Sequence, residues 1–147
     1  MAALDTRDDT ATDFRNPLDL LNGYQLRRAT TAMLADLMES LNGTGLRPSE
    51  ASVLFLIEAN PRITQSDIGR ILGVQRANMV PLIARLDEDA LIERVPVDGR
   101  SHGLRLTKAG RAKTRAVAAR IAHHEKRFFA PLSEEECRTL RAMLRRL

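Results

Sequence analysis

Two short helical segments separated by a tight turn constrain the fold of this chain more than any other feature of its sequence. Thr64 and Asp67 stand three residues apart, as in a helical capping box, and Gly73 supplies a C-terminal stop. These signals predict a helix over residues 65–72. A second helix, starting at Gln75, follows after a two-residue turn. Two short helices joined by a glycine-containing turn form the helix-turn-helix pattern.

A β-hairpin is predicted directly after this pair of helices. Two β-prone segments, residues 91–97 and 104–107, flank a polar run at 98–103 that begins with the strong turn dipeptide Asp-Gly. Arg100 places a cation in the predicted turn. A helix-turn-helix followed by a hairpin with a basic tip is a winged helix-turn-helix, which we place at residues 46–107. The alternative is an ordinary hairpin whose arginine is solvated.

The remainder of the chain is predicted to be helical. Aromatic residues make up 3% and Trp is absent, so the core must come from aliphatic side chains, which favours helices. Apolar spacing predicts a long first helix from about Pro17 to Leu41, with an apolar stripe wider than one neighbouring helix usually covers. Pro48 begins the next helix, and Thr107 and Ser133 can each cap a closing helix. The expected fold class is mainly α with a small β-hairpin.

Outside the winged helix, one part of the chain is predicted to be folded and another to be disordered. Residues 16–45 and 108–147 form a helical region, whereas residues 1–15 form a disordered tail with four Asp against two Arg. The tail lacks the apolar segment of a secretory signal, and no apolar run approaches the ~18 residues that span a bilayer. The single cysteine, Cys137, cannot form an internal disulfide. We therefore expect a cytoplasmic protein without a membrane partner.

Charge is concentrated in one part of the chain. The formal net charge is +4, and residues 99–127 contain nine Lys or Arg against one acid, Glu125. A concentrated basic field fits a polyanionic partner such as nucleic acid. A solvated helix face has the same composition. Charge alone leaves both interpretations open.

The predicted helix pair suits double-stranded DNA. The major groove of B-DNA admits one α-helix, which a supporting helix presents. The helix of residues 65–72 can cross the backbone, with Thr64 and the free amides of the first turn facing phosphates. The next helix can enter the groove, and its early polar side chains, Gln75, Arg76 and Asn78, are of types that hydrogen-bond base edges. Short helix pairs also occur as plain structural corners, so the hairpin adds weight to the interpretation.

The second half of the winged helix carries a recurring pattern. It comprises Leu86, Leu91-Ile92-Glu93-Arg94, Asp98-Gly99-Arg100 and Leu106-Thr107. This pattern resembles the MarR family of bacterial regulators, and the resemblance extends over nearly the whole chain after the tail. It implies that the helical region of residues 16–45 and 108–147 is a dimerisation region, which forms a homodimer in which the first helix and the last two helices of each chain interlock. It also implies a pseudo-palindromic operator, with Arg100 in the minor groove and Asp98 helping to hold it.

The resemblance implies an effector as well. Family members usually repress transcription, and they release DNA when a small, often aromatic acid or its conjugate binds between the dimerisation and reading regions. The run from Arg76 to Leu82 resembles a branch that responds to hydroxycinnamoyl-CoA thioesters. The implied effector is therefore a small aromatic acid or an acyl-CoA.

Two residues depart from the family pattern. Ala90 stands where the family usually has Gly, and because Ala is less favourable in left-handed backbone, we expect the link to the wing to differ. Pro81 stands inside the reading helix, where proline removes a hydrogen bond and favours a kink. We expect that helix to be bent there or its first turn to be displaced, which puts the role of Arg85 in question.

The residues and the resemblance together predict two sets of contacts. The predicted DNA contacts are Thr64, Gln65, Ser66, Gln75, Arg76, Asn78, Met79, Arg85, Asp98, Arg100 and His102. The predicted effector contacts are Tyr24, Arg27, Arg28, Thr31, Phe55 and Met79. The alternative for the second set is that its three apolar members belong to the core and both arginines are solvated.

No catalytic arrangement, cofactor site or metal site is predicted, so we do not expect an enzyme. One branch of the family senses peroxide with a Cys near its N-terminus; Cys137 lies elsewhere, so a buried structural role is expected. His123 and His124 are metal-ligating types, but adjacent side chains on a helix point apart. We therefore expect both histidines at the surface.

The expected function is a sequence-specific DNA-binding transcriptional regulator, a repressor released by a small aromatic acid or its CoA thioester. An architectural DNA-binding protein without an effector is the alternative, and it would show steep salt dependence with little sequence discrimination. A third interpretation is a module whose winged helix binds protein, against which the basic field argues. The sequence does not name the operator, the regulated genes or the ligand.

Overall fold

The computed structural model describes residues 15–99 and 101–147. The chain divides into two compact units, Met1–Ala32 and Met33–Leu147. Two predictions lie outside the described residues, namely the acidic tail apart from Arg15, and Arg100 in the predicted turn. Among the described residues, no helix is long and apolar enough to cross a membrane.

Helices dominate the described part of the chain, and they follow the predicted order. A short 3-10 helix, Pro17–Leu20, precedes helices α1 (Asn22–Ser40), α2 (Pro48–Ala59), α3 (Gln65–Leu72), α4 (Arg76–Glu88), α5 (Lys108–Phe128) and α6 (Glu134–Leu144). The strands are β1 (Ile63–Thr64), β2 (Ile92–Pro96) and β3 (His102–Leu106). The predicted fold class, mainly α with a small β-hairpin, is confirmed.

The first α-helix begins later than predicted. Asn16 caps the 3-10 turn by accepting a hydrogen bond from the N–H of Leu18 at 3.2 Å. The backbone at Leu21 is extended, with φ −94° and ψ 116°. The predicted helix is therefore interrupted between Pro17 and Asn22, because an asparagine side chain offers the backbone a local alternative to helical bonding.

The three strands form one antiparallel sheet in the order β1-β3-β2. Glu93 of β2 pairs with Arg105 of β3, and Ile63 of β1 pairs with Leu104 on the other side of β3. The predicted hairpin is confirmed, although His102, which was assigned to the turn, belongs to β3. β1 was missed, since two residues are too few to show an alternating pattern.

The core lies in the second unit, between the helices of the winged helix, its sheet and α5. Every one of these elements contributes fully buried aliphatic side chains: Val53, Leu54, Ile57, Ile68, Ile83, Leu86, Leu104 and Val117. Aliphatic residues therefore make up most of the core, as the scarcity of aromatic residues predicts. This packing holds α3, α4 and the sheet in one rigid arrangement.

Local capping signals set the helix ends. Thr64 accepts a hydrogen bond from the N–H of Asp67, and Gly73 takes the left-handed conformation at φ 64°. The Asp67 carboxylate accepts from the Thr64 hydroxyl at 2.6 Å instead of from the backbone, so the capping box is only half formed. Thr107 caps α5 and Ser133 caps α6, both as predicted.

The link from α4 to the sheet keeps a left-handed residue without a glycine. Ala90 has φ 53°, a conformation that costs a residue with a side chain about 1–2 kcal/mol. Its carbonyl accepts a hydrogen bond from the Thr107 hydroxyl at 2.7 Å. The substitution of alanine for the family's glycine therefore changes the strain of the link and leaves its left-handed geometry in place.

The predicted surface position of His124 is wrong. Its side chain is fully buried, and Nδ1 lies 2.6 Å from Oδ2 of Asp36 on α1. Arg127 contacts the other carboxylate oxygen at 2.6 Å. Hydrogen bonds from His124 first, and then from Arg127, hold the pKa of Asp36 below its usual range. The error arose because only tertiary packing decides which face of α5 is covered; His123, its neighbour, is exposed.

The cysteine also differs from its prediction. Cys137 is half-buried on α6 and lines a groove of about 780 Å³ between α5 and α6. The groove is apolar in part, with Phe129, Leu140 and Leu144 along it. Cys137 is therefore less enclosed than a core residue of this chain.

Candidate nucleic-acid interface

A cleft of about 600 Å³ lies between the start of α3, the first turns of α4 and the two strands of the hairpin. Six of the predicted DNA contacts line it, namely Thr64, Gln65, Ser66, Arg76, Met79 and His102. Six further residues, which the sequence did not indicate as DNA contacts, also line it: Gly69, Arg70, Val74, Val80, Arg94 and Ser101. The fold therefore brings the helix pair and the hairpin to one concave surface.

The start of α3 supplies amide donors to this cleft. A helix N-terminus attracts anions through its free N–H groups and its dipole. The carboxylate of Asp67 also lies in this first turn, and the Thr64 hydroxyl, with help from Arg70, holds its pKa below the usual range. Arg70 contacts that carboxylate at 2.6 Å, so the acid's charge is offset by a neighbouring cation. The N-terminus can still accept a phosphate.

The first turn of α4 presents polar side chains to solvent. Gln75 is the N-cap, its side chain makes no capping bond, and Gln75, Arg76 and Asn78 are all exposed. Met79 differs, because only 1% of its side chain is exposed and it belongs to the core. The prediction that Met79 contacts DNA is therefore corrected: it forms the floor of the cleft and supports the turn from below.

Pro81 does not end the reading helix. α4 runs without a break from Arg76 to Glu88, with Pro81 as its sixth residue. Proline lacks an N–H, so the helix loses one backbone bond at this point. The first turn remains part of one continuous helix, so Pro81 does not separate it from the rest of α4. The alternative expectation, a bend at Pro81, stays a prediction.

Arg85 has a partner within the protein. Its Nε lies 3.2 Å from Oε1 of Glu50, whose side chain is only 4% exposed, and Nη2 donates to the carbonyl of Gly45 at 3.2 Å. The other carboxylate oxygen of Glu50 accepts from the N–H of Arg47 at 2.7 Å. These contacts fix the C-terminal half of α4 to the start of α2, so they favour a structural role for Arg85 over the predicted DNA contact.

The wing tip, described at residues 97–99 and 101, is shaped by its own polar groups. Asp98 accepts a hydrogen bond from the N–H of Ser101 at 2.8 Å, and the N–H of Val97 donates to the carbonyl of Ser101 at 3.0 Å. His102 is exposed and pairs with Pro96 at the end of the hairpin. Asp98 therefore shapes the described part of the turn between β2 and β3. Arg100 lies outside the described residues.

Comparisons with known proteins agree with this geometry. The MarR family model matches residues 44–101. A protein described as a transcriptional regulator of the hcr operon in Thauera aromatica is 30% identical over 128 residues, which are 85% of this chain and 77% of that protein. This chain belongs to the MarR family. It is a DNA-binding transcriptional regulator, as its sequence predicted.

Solved structures of MarR-family members superpose on this chain closely. The repressor CouR bound to a 23-mer DNA duplex matches with a TM-score of 0.81 and 35% identity, covering 86% of this chain and 92% of CouR. CouR bound to p-coumaroyl-CoA matches with a TM-score of 0.78 and 33% identity, covering 89% and 94%. The resemblance to this branch, inferred from the run of residues 76–82, is confirmed.

The basic field of this MarR-family chain is partly committed to the fold. Of the eight described cations in residues 99–127, five contact the protein itself. Arg105 contacts Glu93, Arg127 contacts Asp36, and the other three donate to backbone carbonyls: Arg111 to Leu106, Lys113 to Thr44, and Arg120 to Ser40 and Asn42. Because Arg105 and Arg127 pair with carboxylates, the number of cations overstates the net charge available to DNA. The cleft adds the exposed cations Arg76 and Arg94.

Sequence reasoning missed two candidate contacts in the cleft. Arg94 is exposed on β2, and Val80 is 52% exposed on the reading helix. A cation on an outward strand position can meet phosphate, and an apolar side chain on a reading helix can meet a thymine methyl. The alternation along β2 was the available signal for Arg94, whereas no local signal distinguished Val80 from a core residue.

The predicted effector residues fall in both units of this MarR-family chain. In the first unit, the guanidinium groups of Arg27 and Arg28 lie 5.4 and 5.7 Å from the ring centre of Tyr24, and Thr31 donates to the carbonyl of Arg27 at 3.0 Å. In the second unit, Phe55 packs against the core and Met79 is buried. The grouping of all six residues into one effector site stays a prediction.

Proposed function

We propose that this MarR-family regulator is a repressor that binds its operator through the cleft and is released by a small aromatic acid or its CoA thioester. The observation that carries the proposal is the single concave surface formed by the start of α3, the exposed first turn of α4 and the hairpin. It acts without catalysis, in the cytoplasm, where its DNA lies.

The residues that line the cleft and the predicted contacts outside its lining have separate proposed roles. Thr64, Gln65 and Ser66 at the start of α3 bind phosphates, since helix N-termini favour anions. Arg76 and Asn78 on α4 read base edges, where Arg suits guanine and Asn suits adenine. Gln75 offers a further adenine contact, while Asp98, Arg100 and His102 place the wing in the adjacent groove. These assignments divide the surface into positioning and reading contacts.

We propose a homodimer as the DNA-binding species. Large apolar side chains are exposed in α1 and its preceding turn and at α6: Leu18, Leu20, Leu21, Leu26, Leu34, Met38, Leu132, Met143, Leu144 and Leu147. Large apolar side chains left exposed within each unit are candidates for an interaction site. A second copy covering these helices would present two reading helices, and therefore a pseudo-palindromic operator.

The proposed effector follows from the similarity to CouR, which was solved with p-coumaroyl-CoA. Arg27 and Arg28 can meet a carboxylate or the phosphates of CoA, and Tyr24 can stack on an aromatic acyl group. Phe55 is a further apolar candidate. Met79 is buried in the core and is therefore a weaker candidate.

Fluorescence anisotropy on the DNA upstream of the gene, titrated with aromatic acids and their CoA thioesters, tests the proposal. The wild-type protein should bind that DNA more tightly than scrambled DNA of equal length, and one ligand class should release it. Asn78→Ala should relax discrimination at one base pair by about 1–3 kcal/mol. Specific binding without a response to any ligand would leave a regulator without this effector. Equal binding to scrambled DNA would favour an architectural protein.

A further inference from the structure

Arg62 has a backbone conformation that suits glycine. It lies in the turn between α2 and β1 with φ 69°, in the left-handed region that residues with side chains rarely adopt. Its N–H donates to the carbonyl of Leu104 on β3 at 3.1 Å. Strained backbone persists only where its surroundings hold it, so the contacts of Arg62 are informative.

The main chain of Arg62 lies directly against the central strand. A Cβ on Gly103 of β3 would stand 2.3 Å from the carbonyl oxygen of Arg62 and 2.7 Å from its carbonyl carbon. Real side chains do not tolerate such distances, so this close approach requires glycine at position 103. The backbone of the turn before β1 and α3 therefore packs directly against β3.

The side chain of Arg62 reaches the far edge of the sheet. Its Nη2 donates to the carbonyl of Pro96 at 2.5 Å and to that of Val97 at 3.3 Å. Pro96 is the last residue of β2 and Val97 is the first of the wing tip. The strand order is β1-β3-β2. Arg62, which precedes the edge strand β1, therefore hydrogen-bonds to the opposite edge strand β2 across the central strand β3. The guanidinium has several donors in a rigid fork, which suits two adjacent carbonyls.

We propose that Arg62 is a positioning residue for DNA binding, which sets the direction of the wing relative to α3. Two residues after Arg62, Thr64 caps the helix that faces phosphates. The side chain of Arg62 therefore connects the end of β2, at Pro96 and Val97, to the start of the helix-turn-helix. Glycine would relieve the backbone but would lose this connection. The inference rests on the proposed function, in that the wing must contact DNA.

Arg62→Gly separates backbone strain from side-chain function. Its melting temperature should equal or exceed that of the wild type, because glycine adopts φ 69° freely. Its affinity for operator DNA should nevertheless fall by about 2- to 30-fold, the range expected when a coupling residue is removed. Arg62→Lys keeps the charge and reach and should restore part of the affinity. Arg105→Ala is the matched control, since it removes a cation and the 2.9 Å pair with Glu93 in the same hairpin and should change affinity less than twofold.

A double-mutant cycle with Arg100→Ala decides the mechanism. If Arg62 acts through the wing, Arg62→Gly should weaken binding in the wild-type background but not further in Arg100→Ala. If Arg62→Gly lowered the affinity for operator DNA equally in both backgrounds, the proposal would be overturned. If it also lowered the salt slope of binding by about 0.9 in the Arg100→Ala background, Arg62 would be identified as a phosphate contact. If Arg100→Ala alone left binding unchanged, the wing assignment in the proposed function would fail, and the positioning role with it. A lower melting temperature with no loss of affinity would show a purely structural residue.

Discussion

Replacing Arg85 by methionine tests whether the second half of the reading helix binds DNA or the protein's own scaffold. Methionine keeps an unbranched apolar stem but removes the guanidinium. In the structure that group contacts Glu50 and the carbonyl of Gly45, both at 3.2 Å. The sequence predicted a DNA contact at this position. The two roles differ in what the substitution should change.

The expected loss of stability follows from the exposure of the two partners. Glu50 is 4% exposed and would lose a cationic partner, and a hydrogen bond to a charged group contributes about 1.5–3 kcal/mol. Arg85 is 44% exposed, so water replaces part of the interaction, and we expect a loss of about 2 kcal/mol. With an unfolding entropy of about 2.1 cal/mol/K per residue over 147 residues, this lowers the Tm by about 6 °C.

Thermal unfolding at one protein concentration and operator binding over a range of salt concentrations provide the assay, since Tm depends on concentration for an oligomer. Arg85→Met should lower the Tm and leave the salt slope of binding unchanged. Arg76→Met, the same substitution in the exposed first turn of that helix, is the matched control and should lower affinity at an unchanged Tm. An unchanged Tm for Arg85→Met with a salt slope reduced by about 0.9 would refute the scaffold role and establish a phosphate contact.

Three further predictions concern the scaffold. Asp36→Asn should lower the Tm at pH 7, because the ionised carboxylate stabilises the folded state and its folded-state pKa is depressed. This stability is fully present above the unfolded-state pKa of about 3.9 and is lost as the pH falls through the folded-state pKa, so the difference in Tm should shrink below about pH 3.9. A constant difference in melts from pH 7 to 3 would contradict this. Gly110→Ala should cost about 1–3 kcal/mol in urea unfolding, since its Cβ would lie 1.9 Å from a backbone carbonyl oxygen, whereas Gly23→Ala, with nothing within 4 Å, should stabilise by about 0.5–1 kcal/mol; equal effects would show that the close approach relaxes freely. Ala90→Gly should stabilise by about 1 kcal/mol, because φ 53° is strained for alanine, and a lower urea midpoint would argue against that strain.

Much of the fold could be predicted because its signals are local. Thr64, Gly73, Thr107 and Ser133 each determine a helix end through their own hydrogen bonds or backbone freedom, and the structure places all four where the sequence predicted. The break before Asn22 is the exception. There two local signals competed, and the Asn16 cap prevailed over the apolar pattern of a long helix.

The candidate site was predictable to the level of residue type. Exposed polar residues at the start of a helix, such as Gln75 and Asn78, are recognisable because a core position would bury an amide at high cost. Met79 was misassigned since an apolar residue beside them fits either the groove or the core. Periodicity alone did not decide which face of α4 is covered.

The sequence by itself determined the order of the elements, their capped ends and the membership in a DNA-reading class, because these depend on residues close together along the chain. Only the tertiary structure decided what distant residues do to one another. It buried His124 beside Asp36, paired Arg85 with Glu50 and placed Arg62 across the sheet on Pro96. These contacts join residues 34 or more positions apart. No local pattern encodes them, since each depends on how whole helices and strands pack.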